Sequence, residues 1–297
     1  MRPFENHRDQ SVATVDLAIA YRVYPHVSAT PALHADDKLK LVRLCLSSFK
    51  RALGSLRIKM WVLLDNCPIV YEDLFRTTFQ DEEIEVVSLT SAGNAATFAM
   101  QVDLLASQTV ADLVYFAEDD YFYLPNAIAD LVEFARNGSG IDFVTPYDHP
   151  DCYEGVSRKE RHLVQVFGNR HWRTTSSTCL TFLATRTALV ENRSLFKSFR
   201  RGSDDCAIWQ AMTQKIYLFD FRIHAATSDR FRIWAKTWLR AYHRIIFGKR
   251  YKLWAPLPSV ATHMALPCLA PSIDWYTEFD RFQMESSSTP MTDLSKY

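Results

Sequence analysis

The chain has 297 residues with 34 basic and 34 acidic side chains, so its formal net charge is zero and gives no argument for a nucleic-acid partner. Its length and its 48% hydrophobic content suit a protein with a full hydrophobic core. The six cysteines are widely spaced, which excludes a disulfide scaffold and the close pairs of a zinc site. The polar start does not resemble a signal peptide and no apolar run is long enough for a membrane span, so we expect a cytoplasmic protein.

Strand and helix patterns alternate over roughly the first half of the chain. Short apolar runs predict strands, and amphipathic segments between them predict helices. The predicted strands are 17–24, 58–64, 84–89, 113–117 and 141–145, and the predicted helices are about 36–53, 69–79, 94–107 and 124–136. This alternation implies βαβ crossovers and a mostly parallel sheet.

The alternation loosens after Pro146. Two further strands are predicted at 180–183 and 216–221, with a helix at about 204–214 between them. The last stretch, 284–297, is rich in Ser, Thr and charged residues and is expected to be a loose tail.

Three consecutive acids, Glu118, Asp119 and Asp120, directly follow the fourth predicted strand. Ligands of parallel sheets gather beyond the carboxyl ends of the strands. In an extended chain, residues 118 and 120 would point to one side and 119 to the other. Their mutual repulsion calls for a cation, and Mg²⁺ or Mn²⁺ can bridge carboxylates to the phosphates of a nucleotide. The alternative is a solvated acidic turn that caps the next helix.

The segment from Tyr115 to Pro125, YFAEDDYFYLP, resembles the Asp-X-Asp segment of GT-A glycosyltransferases, especially the family-2-like group. The resemblance implies an α/β, Rossmann-like fold with a mostly parallel central sheet, flanking helices and a C-terminal helical elaboration. It implies metal-dependent, inverting transfer of a sugar from a nucleotide diphosphate, with a UDP-sugar favoured. Asp120 would hold Mn²⁺ or Mg²⁺, and Glu118 and Asp119 would support the donor and the metal. Glu118 departs from the motif because it replaces the first Asp.

The resemblance extends from Leu17 to about Trp275 and implies one domain over 1–283. Its donor half would cover about 15–150 and its acceptor half about 151–283.

Further residues resemble donor-side positions of the same family. Asp65 resembles the acid that touches the base or ribose, and Asn94 resembles the helix start beside the nucleotide; a turn and a helix cap are the alternatives. His263 resembles a histidine that completes the metal site, although a lone histidine is more often structural. Arg173, with Trp172 beside it, offers a cation and an aromatic face for donor phosphate or sugar, or belongs to a polar loop.

An inverting transfer needs a base for the acceptor hydroxyl. Asp204 and Asp205 follow Ser203 at a predicted helix start and resemble the acidic base motif of the family, in which the second acid is usually the base. The resemblance therefore points to Asp205, with Asp204 as the substitute. The alternative is ordinary helix capping.

A basic segment, 230–252, carries eight Lys or Arg residues and is predicted to be an amphipathic helix, with apolar residues opposite the bases at Phe231, Trp234, Trp238, Tyr242 and Ile245. This basic helix could pack on the domain, lie on a membrane beside a lipid-linked acceptor, or bind a nucleic-acid acceptor. A sugar or another hydroxyl compound is the general expectation for the acceptor.

Two other functions remain compatible with the sequence. A sugar-phosphate nucleotidyltransferase would share the fold, but a Gly-rich basic phosphate loop is missing after the first strand, where Tyr24, Pro25 and His26 stand. A non-catalytic sugar- or membrane-binding module is the other alternative.

Overall fold

The structure, a computed structural model, describes residues 14–27, 29–153, 161–214 and 228–288. Its strands are β1 (Leu17–Val23), β2 (Ile58–Asp65), β3 (Ile84–Leu89), β4 (Leu113–Glu118), β5 (Tyr121–Tyr123), β6 (Phe143–Val144), β7 (Val164–Phe167), β8 (Arg170–Thr175), β9 (Phe182–Thr185), β10 (Leu253–Leu257) and β11 (Ala261–His263). Its α-helices are α1 (Lys38–Ala52), α2 (Ile69–Thr78), α3 (Asn94–Ser107), α4 (Ala127–Asn137), α5 (Arg186–Glu191), α6 (Arg193–Phe196), α7 (Asp205–Thr213), α8 (Ser228–Phe247) and α9 (Trp275–Ser288).

Nine described strands form one sheet in the order β3-β2-β1-β4-β9-β6-β10-β8-β7. The first four are parallel neighbours, and α1, α2 and α3 make the crossovers between them. Among the described strands, β8 and β9 run antiparallel to the other members. The predicted fold class, a mostly parallel α/β sheet with flanking helices, is confirmed.

The sheet separates two hydrophobic cores, and strand alternation decides which side chain enters which core. In β1, Leu17, Ile19 and Tyr21 pack against α1 and α2 on one face, whereas Ala18 and Ala20 face α3. Side chains of β4 alternate between the two cores in the same way, so the side chains of Glu118 and Asp119 at the end of the strand point to opposite faces of the sheet.

A separate two-stranded sheet pairs β5 with β11 and sets His263 opposite Tyr121. The pairing continues one residue further, because the backbone N–H of Met264 donates to the carbonyl of Asp120 at 2.8 Å. The sequence did not predict this sheet. It brings the late part of the chain to the acidic triplet.

Several predicted boundaries need correction. The fourth helix begins at Ala127 instead of 124, because Asn126 before it takes the left-handed conformation with φ of 60°. The strand predicted at 141–145 is reduced to Phe143–Val144, and the strand predicted at 216–221 lies outside the described residues.

The C-terminal part also differs from the prediction. Helix α8 ends at Phe247, so Lys249, Arg250 and Lys252 lie beyond it. Helix α9 extends to Ser288 and includes 284–288, which had been assigned to the loose tail. In the described ranges, no helix is both long and apolar enough to cross a bilayer.

Candidate donor and metal site

A cavity of about 390 Å³ opens where β1, β2 and β4 end. Its wall contains five residues that the sequence analysis selected, from three separate segments: Asp65, Asn94, Glu118, Asp119 and Asp120. Parallel strands carry their carboxyl ends to one edge of a sheet, which explains why these distant residues meet. The structure therefore assembles most of the predicted donor site in one place.

Glu118 points toward α3 and β9, as strand alternation requires. Arg22, at the end of β1, donates to its Oε1, and the hydroxyl of Thr181 donates to its Oε2 at 2.8 Å. Arg22 also donates to the carbonyl oxygen of Asn94 at 3.1 Å and to its side-chain oxygen. One guanidinium thus links two residues predicted to contact the donor.

Asp119 points to the other face of the sheet. Its carboxylate accepts hydrogen bonds from Nζ of Lys38 and from the backbone N–H of Tyr24, each at 2.9 Å. Burial alone would lower the pKa of Lys38, but the charges of Asp119 and Asp120 raise it, so the ammonium is held charged. Asp119 consequently fixes the segment after β1 against the triplet while still lining the cavity.

Asp120 turns toward His263. Its Oδ2 lies 3.2 Å from Nε2 of His263, and β11 supplies that histidine. Burial alone would lower the pKa of His263, but the charge and hydrogen bond of Asp120 raise it to about 10. Burial alone would raise the pKa of Asp120, but the charge of His263 lowers it. The two side chains form an ion pair at the cavity.

When the proton of the pair is displaced, Oδ2 of Asp120 and Nε2 of His263 offer part of a coordination shell for a divalent cation. Oδ1 of Asp120 is buried and has no hydrogen-bond partner among the described residues. Carboxylate and imidazole together suit manganese. Within the described ranges, no three His, Cys, Asp or Glu side chains cluster into a complete metal site. The donor set therefore fits a cation whose remaining ligands are water or phosphate oxygens.

Asp65 is tied to the start of α3. Its two carboxylate oxygens accept the backbone N–H groups of Ala92 and Gly93 at 2.9 and 2.7 Å. Gly93 has a φ of 79°, in the left-handed region that favours glycine, and a Cβ there would meet nothing within 4 Å. The open space beside Gly93 belongs to the cavity. Contact of Asp65 with a base or ribose stays a prediction.

On the acceptor side, Asp205 is the first residue of α7, directly after Asp204. Its carboxylate accepts the backbone N–H of Cys206 at 2.6 Å. Burial, with a further contribution from the charge of Glu118, raises the pKa of Asp205. The raised pKa makes the Asp205 carboxylate a stronger base than that of an ordinary aspartate.

Arg173 is not among the residues that line the cavity. It lies on β8 and donates to the buried carboxylate of Asp148, with its guanidinium 4.7 Å from the ring of Tyr153. Trp172 faces inward on the same strand and stacks on Phe134 with ring centroids 3.9 Å apart, so the expectation that it offers an open aromatic face was wrong. A donor-phosphate contact of Arg173 stays a prediction.

The sequence analysis missed two cations of the cavity, Arg22 and Lys38. A signal existed for Arg22, because it ends a buried strand that is otherwise apolar and aromatic. Lys38 gave no comparable signal, since a lysine in the first turn of an amphipathic helix is usually solvated.

No protein-family model matches the sequence, and no curated protein matches it. Solved glycosyltransferase structures do resemble the fold. Galactosyltransferase LgtC, in complex with donor and acceptor sugar analogues, matches with a TM-score of 0.44 and 12% identity over 91% of this chain and 95% of that one. The mannosyltransferase PcManGT of Pyrobaculum calidifontis, in complex with GDP-Man and Mn²⁺, matches with a TM-score of 0.43 and 11% identity over 84% and 69%.

A third match is the 1–349 fragment of TarS from S. aureus in complex with UDP, with a TM-score of 0.41 and 14% identity over 66% of this chain. The chain covers about half of that fragment, 54% of its length. Because each TM-score is below 0.5, the site geometry alone carries the functional argument.

Proposed function

We propose that this protein is a metal-dependent glycosyltransferase that moves a sugar from a nucleotide diphosphate, with UDP favoured, to an acceptor hydroxyl. One observation carries the proposal: Asp120 lines a cavity formed by strand ends, has a buried oxygen without a described partner, and pairs with His263. Such a cavity has room for a nucleotide.

Different residues at the cavity would bind different parts of the donor and its cation. Asp120 and His263 would hold the cation, which when bound neutralises the diphosphate and makes it a better leaving group. Arg22 and Lys38 add positive charge to the same wall, and their pairing with Glu118 and Asp119 fixes their positions. Asp65 orients the backbone of the loop before Asn94.

Asp205 would serve as the base. As the acceptor oxygen attacks the anomeric carbon, its proton passes to the Asp205 carboxylate while the bond from that carbon to the diphosphate oxygen breaks. Attack from the face opposite the diphosphate inverts the anomeric centre. The raised pKa of Asp205 supports this role, and Asp204 is the substitute should Asp205 prove dispensable.

The first test measures thermal stabilisation of the protein by UDP, GDP, dTDP and CMP, each with and without Mn²⁺. The proposal expects one nucleotide diphosphate to raise the melting temperature only with Mn²⁺, because ligands that bind the folded state stabilise it. The sugar donor of that nucleotide is then tested for release of the diphosphate in the presence of sugar and lipid-linked acceptors. Absence of any Mn²⁺-dependent shift would refute the proposal.

Asp120→Asn separates the enzymatic reading from a non-catalytic module. The proposal expects this variant to lose both the shift and the transfer, whereas a binding module would keep its ligand. A nucleotidyltransferase would instead release pyrophosphate from a nucleoside triphosphate and a sugar phosphate, which the same protein preparation can test.

A further inference from the structure

Helix α8 has two different apolar faces. One face packs on the protein: Ala241 and Ile245 are buried against Ala211 of α7, with Trp238 beside them. The sequence had placed Trp238 and Ile245 on the single apolar face of this helix. Trp238 and Ile245 therefore pack on the protein's own core, whereas Tyr242, which had been assigned to the same face, is 47% exposed.

The other face points outward and is also apolar. Leu239 is 81% exposed, Ile246 57% and Phe247 79%, and their helical spacing places them on one side. Tyr242 borders them and is 47% exposed. Large apolar side chains that share one exposed helix face indicate a surface for an interaction. We call Leu239, Ile246 and Phe247 the exposed α8 face.

The surroundings of the exposed α8 face are basic. The sequence from 230 to 273 contains no acidic residue and eight Lys or Arg residues. Arg201 and Lys252 are exposed. Arg201 shares with Tyr242 and Arg244 a cavity of about 380 Å³ between α8 and the end of α5, in which Glu191 is the one acidic residue among the described lining residues. An apolar face beside basic side chains matches an anionic lipid surface, which offers acyl chains and phosphates together.

We propose that the exposed α8 face docks on an anionic phospholipid bilayer, with Leu239, Ile246 and Phe247 entering the boundary between headgroups and acyl chains. Nucleic acid would use the cations but would leave these aliphatic and aromatic side chains in water. A second copy of the chain would bring the same positive charge against itself, which opposes pairing through this face. This inference does not depend on the proposed sugar transfer.

The inference has a geometric consequence for the site. Helix α8 packs on α7, and α7 begins with Asp205. A bilayer bound to α8 would therefore lie on the acceptor side of the protein, one helix away from the proposed base. The donor cavity opens at the ends of β1, β2 and β4 and would stay accessible to a nucleotide from solution.

Co-sedimentation with vesicles tests the proposal on the full chain. Vesicles of phosphatidylcholine alone are compared with vesicles containing roughly a quarter phosphatidylglycerol. We expect binding to the anionic vesicles alone, weakened by added salt because the attraction is partly screened. The triple variant Leu239→Ser/Ile246→Ser/Phe247→Ser should bind at least about 100-fold more weakly, since it removes three apolar side chains from the boundary.

The matched control is Ile69→Ser/Val166→Ser/Met284→Ser, which removes three similarly exposed apolar side chains, 70%, 67% and 71% exposed, from other elements. It should bind like the unmodified protein. Arg201→Gln should weaken binding about fivefold through loss of one charge near the surface. Circular dichroism of each variant confirms that the fold is retained.

Three outcomes overturn the proposal. The first is equal binding of the α8 triple variant and the control to anionic vesicles, and the second is no binding by the unmodified protein. The third is dimerisation in analytical ultracentrifugation that the α8 triple variant abolishes, because the exposed α8 face would then be covered by a second copy.

Discussion

The proposed donor edge and the proposed acceptor side of this protein are built differently. Glu118 and Asp119 are each held by two groups that come from distant parts of the chain, Arg22 with Thr181 and Lys38 with Tyr24. Asp205 instead accepts a hydrogen bond from the next residue at a helix start. Long-range partners preorganise a site before its ligand arrives. Changes at the donor edge should therefore impair binding, and changes at Asp205 should impair turnover alone.

Loss of the cation site should have the largest effect. Asp120→Asn removes a charged oxygen that no described residue satisfies and also the partner of His263. We expect transfer to fall about 10⁴-fold, because metal stabilisation of the leaving group contributes several kcal/mol. Initial rates and the Mn²⁺-dependent thermal shift are measured together. Asp81→Asn, on an 81% exposed side chain, is the control and should change neither.

Removal of the base should be nearly as damaging to the rate and harmless to donor binding. Asp205→Asn is expected to lower kcat about 10³-fold while the nucleotide shift stays unchanged, because general base catalysis supplies that order of acceleration. If nucleotide binding fell together with the rate, the proposed separation of donor edge and acceptor side would be wrong. Asp204→Asn, tested beside it, should retain most of the activity.

The pH dependence of kcat/KM sharpens the same assignment. The base works only when deprotonated, and burial raises the pKa of Asp205. The acid limb of the profile should therefore lie at higher pH than an ordinary aspartate would give, with the rate falling about tenfold per pH unit below it. An acid limb at the pKa of a solvated carboxylate would speak against Asp205.

Substitution of Arg22 should lower stability and nucleotide affinity because Glu118 and Asn94 lose their shared partner. Arg22→Met leaves Glu118 without its cation, and breaking a buried ion pair from one side costs about 3 kcal/mol of the free energy of unfolding. Nucleotide affinity should fall with it. The double variant Arg22→Met/Glu118→Gln should recover part of the stability, because no unpaired charge then remains. Urea unfolding of the two variants measures the difference.

Substitution of Asp16, which precedes β1 at the end opposite to the cavity, should have the smallest effect on stability and none on donor binding. Hydrogen bonding from Arg57 lowers the pKa of Asp16 to about 2 from its ordinary value of 3.8. A lowered folded-state pKa gives stability above pH 3.8 that is lost as the pH falls through about 2. Asp16→Asn should cost at most about 1 kcal/mol at neutral pH, since the pair is close to solvent. Urea unfolding at pH 7 and pH 3 tests this, and donor binding should not change.

The strands and helices of the first half of the chain were well predicted because they are local. Each apolar run that ends at a turn became a strand, and the alternation of strands with helices was sufficient to predict parallel order and the meeting of Asp65, Asn94 and Glu118. The role of Arg22 was not predicted because it depends on contacts with Glu118 and Asn94. Both residues are far from Arg22 in the sequence, so a local sequence pattern does not connect them.

The later part of the chain, and the short sheet that joins it to the acidic triplet, were less predictable because long-range pairing shapes them. β5 and β11 have three residues each, too few for a periodic signal, and they pair across half of the chain. Trp172 looked accessible between polar neighbours, yet its strand position turned it into the core beside Phe134. In α8, the sequence showed one apolar face, whereas Leu239, Ile246 and Phe247 form a second.

The pairing of β5 with β11 has a consequence for assembly of the protein. Asp120 is synthesised long before His263, and the two meet only after β11 has docked beside Tyr121. A cation bound by both residues would crosslink them and close the chain between them into a very long loop. Because the unfolded chain loses the most entropy when a long loop is closed, the crosslink would stabilise the folded state. Mn²⁺ should then slow the detachment of β11, which hydrogen exchange at the amide of Met264 would report.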